Sequence, residues 1–302
     1  VRNALFILAI ACGSIFAAEP TYNRLIFAGD VMLDRGVRKQ ILAAHDPALP
    51  FRKIAPLLAG SDIAFVNLES PFSDRGPYRD SGLIFHAAPA MIAGLELAHI
   101  AVASTANNHS RDCGSHGVEF TIAWLRKHGI QPVGSSESSA KTHAGVVLQR
   151  NGIRFGFLAY TYDQQNGNWR DIDQRIALAD PAVLCGDVAE LRKHADIVIV
   201  SMHHGIEYAP KPSRTQVAFA HAAIDAGATL VIGHHPHVIQ PEEKYHDGLI
   251  FYSLGNFVFD QYQRETTQHA EIVQVSFLGR RILATHVRPV RITRTGPELE
   301  LH

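Results

Sequence analysis

Residues 226–243 read AGATLVIGHHPHVIQPEE. A short apolar run, residues 230–232, ends at Gly233 and gives way to His234-His235-Pro236-His237. An uninterrupted apolar run of this kind reads as a strand buried on both faces, as in a parallel sheet covered by helices. The residues before it, 217–226, have helical spacing and close on Gly227, a natural helix C-cap. The unit is therefore helix, buried strand, then polar groups at the strand's carboxyl end.

The same unit recurs along the chain. Residues 25–28 run into Gly29-Asp30, 63–66 into Asn67-Leu68-Glu69, 100–103 into Asn107-Asn108-His109, and 197–201 into His203-His204-Gly205. Helical spacing covers residues 51–58, 118–128 and 183–194. This alternation predicts an α/β fold. Asn151-Gly152 between runs 146–149 and 153–159 is a hairpin signal, and Gly279 between runs 272–277 and 282–290 is another, so the sheets should be mixed. Ligands of open α/β sheets bind beyond the carboxyl ends of the strands. All five apolar strands place Asp, Glu, Asn or His there. A polar loop at 135–139 and a longer one at 162–175, placed to cover a site, complete the pattern.

Composition narrows the function classes. The 302 residues are 46% hydrophobic and 19% charged, enough for a sizeable core and against a disordered chain. Lys+Arg is 28 and Asp+Glu 29, a net charge of -1, so no basic excess serves nucleic-acid binding. Three cysteines form neither a disulfide framework nor a CxxC site; at most Cys113 and Cys185 could pair, and two small buried thiols are the simpler reading. Arg2, the apolar stretch 4–16 and Ala17-Ala18 make residues 1–18 a signal peptide or N-terminal anchor, which predicts an exported protein, periplasmic or cell-surface associated. Residues 19–302 would then be one domain. The 18 histidines matter through their placement, because imidazole is the commonest metal ligand.

Each strand end has a functional and a bland reading. Asp30 is a metal carboxylate or a turn or cap residue. Asn67 and Glu69 share a side of an extended chain, so either is a ligand or a turn residue; Glu69 is the better charge donor. Asn108 offers an amide oxygen and His109 an acid-base group, with Asp112 placed to orient that imidazole or to cap a helix. His203 and His204 are ligands or satisfied core residues. His235 and His237, two apart, would point together if the chain stays extended, with Pro236 stiffening the link and His234 pointing elsewhere. Zinc, manganese and iron all accept imidazole. Residues 134–142 lack the glycine of a phosphate-binding loop, and neither GxSxG nor HExxH occurs.

With FAGDVMLDRG (27–36), NLESP (67–71), ANNHSRDCG (106–114) with HGI (128–130), HHGIEY (203–208), and AGATLVIGHHPHVIQPEE followed by IFYSLGNFVFDQ (250–261), the chain resembles the bacterial capsule-biosynthesis proteins of the CapA type, linked to poly-γ-glutamate synthesis. That family is related to the calcineurin-like metallophosphoesterases. The resemblance runs from about Leu25 to about Gln261. It implies a metallophosphatase-like sandwich of two mixed β-sheets flanked by α-helices. It also implies one or two divalent ions (Mn, Fe or Zn) on Asp30, Glu69, Asn108, His203, His235 and His237, with His109 handling the leaving group. Related phosphoesterases carry Asp-x-His in the first motif; Asp30-Val31-Met32 lacks that imidazole. His204 stands where Trp is common, as a replacement ligand or, more simply, a packing residue. Cys113 replaces an aromatic or other apolar residue.

The resemblance implies metal-dependent hydrolysis of a phosphoester, with His109 protonating the leaving oxygen. Arg35 would touch an anionic substrate or form a surface ion pair. The alternatives are a non-catalytic metal-binding assembly factor for an anionic exopolymer and an amide hydrolase acting on that polymer. Partners implied are the anionic polymer or phosphoester and membrane capsule-synthesis proteins, with no nucleic acid.

Overall fold

The computed structural model describes residues 21–76, 82–162 and 173–300. In chain order its elements are β1 (Tyr22–Val31), α1 (Arg35–Ala44), α2 (Ala55–Ala59), β2 (Ile63–Leu68), α3 (Ile92–Leu97), β3 (Ile100–Ser104), α4 (Gly114–Lys127), β4 (Gln131–Val133), β5 (Val146–Arg150), β6 (Ile153–Thr161), α5 (Pro181–Leu191), β7 (Ile197–His203), α6 (Arg214–Asp225), β8 (Leu230–His234), β9 (Ile239–Tyr245), β10 (Gly248–Leu254), β11 (Asn256–Val258), β12 (His269–Leu278), β13 (Arg281–Thr293) and β14 (Gly296–Leu299).

Two mixed sheets form. One has the order β14-β13-β12-β1-β2-β3-β4, with β11 joined to β1; the other is β5-β6-β7-β8-β10-β9. Within them β1–β4 are parallel neighbours, as are β6, β7, β8 and β10. The expected hairpins at Asn151-Gly152 and Gly279 are present as the antiparallel pairs β5–β6 and β12–β13.

Alternation along β1 shows why its apolar run is unbroken. Leu25 and Phe27 face a core between the sheets with Phe65, Phe157, Ile199 and Ile232. Ile26 and Ala28 face a second core, against Val37, Ile41, Leu58 and Leu95. The other sheet does the same: Val198, Val200 and Val231 meet Leu184, Val188 and Phe219 from α5 and α6. The order is helix, sheet, sheet, helix, with Phe65 and Phe157 stacked across the sheets at 6.1 Å.

The helix expected over 51–58 is broken. A short 3-10 turn, Leu49–Phe51, precedes the one-turn α2. Pro50 opens the first piece. Pro56 has no N–H to give the carbonyl four residues back, so one continuous helix cannot close. Cys113 and Cys185 are free, so the bridge does not form; Cys113 is half-buried, but Cys185 is exposed, against the expectation of two buried thiols. The expected signal segment and most of the loop 162–175 lie outside the described residues.

Candidate metal centre

The polar residues at the strand ends gather along the seam where the two sheets meet. β1 delivers Asp30 and the chain leaving β2 delivers Glu69; from the other sheet, β7 delivers His203 and the turn after β8 delivers His235 and His237. Gly29 lets the strands close up there: a Cβ would stand 2.0 Å from the Gly255 carbonyl oxygen, and Asp30 N–H donates to that same oxygen at 3.1 Å.

Two groups of ligand atoms result, Asp30–Glu69–His237 and Glu69–His203–His235, each with its atoms within 4.8 Å of one another. Glu69 belongs to both. Its carboxylate is fully buried, and neither oxygen has a hydrogen bond. Two imidazole nitrogens face Oε1, His203 Nε2 at 3.6 Å and His237 Nε2 at 3.8 Å. His203 Nε2 also lies 2.7 Å from Asn108 Oδ1 and 3.2 Å from His235 Nδ1. A buried carboxylate without hydrogen bonds, ringed by imidazole nitrogens and an amide oxygen, is an arrangement a cation resolves. The mixed imidazole, carboxylate and amide set suits a divalent first-row ion.

A surrounding layer fixes these ligands. Asn67 donates to Asp30 Oδ1 at 2.8 Å and its amide lies 3.2 Å from His203 Nδ1, bracing one ligand from each sheet. That makes Asn67 a positioning residue here, with Glu69 facing the ligand groups. His237 Nδ1 meets Asn256 Oδ1 at 3.0 Å, which turns Nε2 toward Glu69. Asn107 secures the turn carrying Asn108: its amide donates to the Leu68 carbonyl at 2.9 Å and its oxygen accepts His109 N–H at 3.0 Å.

Burial and mutual charge set the electrostatics. Burial pushes the Glu69 carboxyl up to about 7 against the pull of His237. Burial also opposes charge on His237, but Glu69 and Asp30 outweigh it and hold that imidazole at about 9. Burial, reinforced by the His237 charge, drives His235 down to about 3. Asp30 stays well below the carboxylate range despite burial, through His234 and His237. His203 is lowered, chiefly by burial.

His109 sits beside this centre. Its Nδ1 is 2.7 Å from Asp112 Oδ2, and its ring stacks on Phe85 at 4.0 Å. Asp112 also accepts the Phe85 N–H at 2.6 Å, so one carboxylate orients both rings. Of the two readings of Asp112, the geometry supports the orienting one.

The structure corrects the expected geometry of His235 and His237 and sharpens the readings of His234, Arg35 and His204. His235 and His237 do not converge along an extended strand: β8 ends at His234, and their φ angles are 99° and 59°. A turn stiffened by Pro236 brings the rings to 6.1 Å. His234 points away from them, but inward: it is fully buried, its Nδ1 lies 3.4 Å from Asp30 Oδ1, and its ring stacks on Phe65 at 6.1 Å. Arg35 forms an ion pair with Asp260, as one reading held, yet the side chains are only 13% and 14% exposed, and the guanidinium lies 4.7 Å over the Phe85 ring. It backs Phe85, the ring on which His109 stacks. His204 behaves as a packing residue beside Tyr162 and Phe219, at 5.8 Å and 6.5 Å, with its basicity lowered by burial.

Met32, at the place of the missing imidazole, is fully buried, and its sulfur accepts the Asp34 N–H at 3.1 Å. Sequence reasoning missed Asn256, Phe85 and Tyr162, whose ring lies 4.6 Å from His235. Asn256 carried a signal: the apolar run 249–254 ends at Gly255-Asn256, as the other strands end. Tyr162 opens the loop 162–175 that was expected to cover a site; Phe85 carried no signal.

Comparison with known proteins agrees with this architecture. The pattern of the family described as "Bacterial capsule synthesis protein PGA_cap" matches residues 24–261. The capsule biosynthesis protein CapA of Bacillus anthracis is 33% identical over 283 residues, covering 91% of this chain and 68% of that protein. The PGA biosynthesis protein CapA of Bacillus subtilis (strain 168) is 32% identical over 275 residues, covering 90% and 72%. Among solved structures, a phosphatase of Mycoplasma pneumoniae superposes with a TM-score of 0.60 at 14% identity, covering 90% of this chain and 94% of that one. That last likeness shows the fold alone.

Proposed function

The chain belongs to the PGA_cap family of bacterial capsule synthesis proteins, and from that premise we propose that it is a divalent-metal-dependent hydrolase serving an anionic capsule polymer, with phosphoester cleavage as its chemistry. The observation that carries this reading is Glu69, a buried carboxylate with no hydrogen bond, shared by two groups of ligand atoms. Asp30, Glu69 and His237 would hold one ion; Glu69, Asn108, His203 and His235 would hold a second. Mn, Fe or Zn fits these donors. Bound there, the ions would neutralise developing negative charge and activate the attacking nucleophile.

The chain's own residues do the rest. With Nδ1 committed to Asp112, His109 keeps Nε2 for the proton that the leaving oxygen takes, a contribution of roughly 10²–10⁴-fold. Phe85 fixes the plane of that ring. Asn67 and Asn256 hold the ligand side chains in register before any substrate arrives. The apolar stretch 4–16 supports export, with the site outside the cytoplasm and membrane capsule-synthesis proteins as partners.

The test uses the full chain, stripped with chelator and reloaded with Mn, Fe or Zn. Chromogenic phosphodiesters and monoesters should turn over only after reloading, and Asn108→Ala or His235→Ala should remove the activity. No turnover with any of the three ions, in protein with intact circular dichroism, rejects catalysis.

A second reading has its own observation. Met32 supplies no imidazole and directs its sulfur to the Asp34 N–H, so the first group has fewer nitrogen ligands than related phosphoesterases. A protein retaining the site for binding alone, as an assembly factor for the polymer, would hold one ion and show no turnover.

A further inference from the structure

At the end of the molecule opposite the metal centre lies an open cavity of about 730 Å³. It is bounded by the β9–β10 turn, the β12–β13 turn and the chain following α5 and α6. Thr229 lines it and His235 belongs to the metal centre, so β8 separates the two by about 20 Å at roughly 3.3 Å per residue. Ile224, Leu249 and Ile282 form apolar wall, and Arg192, Lys244, Arg280 and Arg281 supply positive charge.

The acids at this end are mostly committed elsewhere. Asp196 takes Arg280 at 2.6 Å and Arg154 at 3.0 Å. Asp225 lies 3.6 Å from His246, and Glu190 pairs with Lys193 at 2.5 Å. Arg192, Lys244 and Arg281 have no acidic partner among the described residues, and Asp247 is the one unpaired acid lining the cavity. Three unpaired cations against one acid leave an excess of two positive charges in a chain whose net charge is -1. Arg192 is also placed: Gly227 has φ +105°, and a Cβ there would stand 2.4 Å from the guanidinium, so glycine lets Arg192 lie across the backbone.

We infer that this cavity is a second, non-catalytic site that holds a segment of a polycarboxylate chain, resting on the anionic-polymer reading above. The unpaired cations come from three separate elements, which suits a ligand with several anionic groups in series over one with a single charge. They surround a concavity with apolar walls, which suits a chain that enters over a flat bilayer that only touches protruding groups. Holding the polymer about 20 Å from the reaction centre would keep a long substrate attached between events there.

The experiment measures binding of labelled poly-γ-glutamate to the full chain by anisotropy, at low salt and with chelator present, so that the metal centre is silent. The combined variant Arg192→Gln/Lys244→Gln/Arg281→Gln should weaken binding by about tenfold or more and flatten its salt dependence. Asp247→Asn should tighten it by about twofold, and decides the matter if the combined variant does not fold. Unchanged affinity in these variants overturns the inference. Loss of binding to phosphatidylglycerol vesicles with polymer binding intact also overturns it, in favour of a membrane surface. Metal-dependent cleavage of a small chromogenic ester should be the same in wild type and combined variant. If that cleavage is absent from both while polymer binding still drops, the hydrolase reading fails and the cavity stands.

Discussion

Asp112 is where one atom decides the chemistry of another residue. Its carboxylate holds His109 Nδ1 at 2.7 Å. Asp112→Asn keeps the volume but presents an amide that can hold the wrong tautomer. The expected outcome is a fall in kcat of about 10²–10⁴-fold with bound metal unchanged, read by steady-state kinetics beside elemental analysis. Cys113 gives a second residue-scale prediction. Burial first, then the Asp112 charge, pushes its thiol up to about 12. At pH 8 it stays protonated, so iodoacetamide should modify exposed Cys185 and leave Cys113 untouched until denaturation, as read by peptide mass mapping. At this scale the sequence showed which residues meet better than how. His235 and His237 were legible as a pair, but alternation assumed an extended chain, and positive φ angles at both do the work instead. His234 was legible only as a residue facing away; that away meant inward onto Asp30 needs the second sheet, which no local pattern contains.

Among elements, the contact of β1 with the chain leaving β10 leaves no room for a side chain at Gly29. Gly29→Ala places a methyl 2.0 Å from the Gly255 carbonyl, with backbone on both sides and nothing flexible to yield. It should cost about 3 kcal/mol and lower both Tm and metal content, because the displaced strand carries Asp30. The start of β7 offers a pH test. Asp196 accepts Arg154 from β6, whose side-chain hydrogen bond is the main cause of a carboxyl held at about 2 against a usual 3.8. Since the folded value is depressed, this contribution is present above pH 3.8 and is lost as the pH falls from there toward 2. Asp196→Asn should therefore lower Tm at pH 6 and make less difference near pH 2. The long buried strands were readable because both faces are apolar. β4 and β11, at three residues each, are too short to show any period, and the helix over 51–58 failed because apolar spacing outweighed Pro56 in the reading.

For the whole molecule, the α/β alternation followed from five apolar strands ending in polar groups and the two-sheet sandwich from the family resemblance, but the pairing order followed from neither. Nothing local tells β12 to lie beside β1, more than two hundred residues earlier in the chain. The candidate metal centre lies on the seam between those sheets, with Asp30 and Glu69 from one and His203, His235 and His237 from the other. Ions that bind only the folded state should raise stability by about 2.7 kcal/mol at a hundredfold excess over Kd. Chelation should lower the Tm of wild type and leave Glu69→Ala nearly unmoved, as read by calorimetry. The Asn67 brace gives this seam a further property. Because one amide bonds Asp30 and also contacts His203, the ends of β1, β2 and β7 should open as one unit. Their amide protons should exchange with deuterium at one common rate, and Asn67→Ala should split that rate into two, one for each sheet.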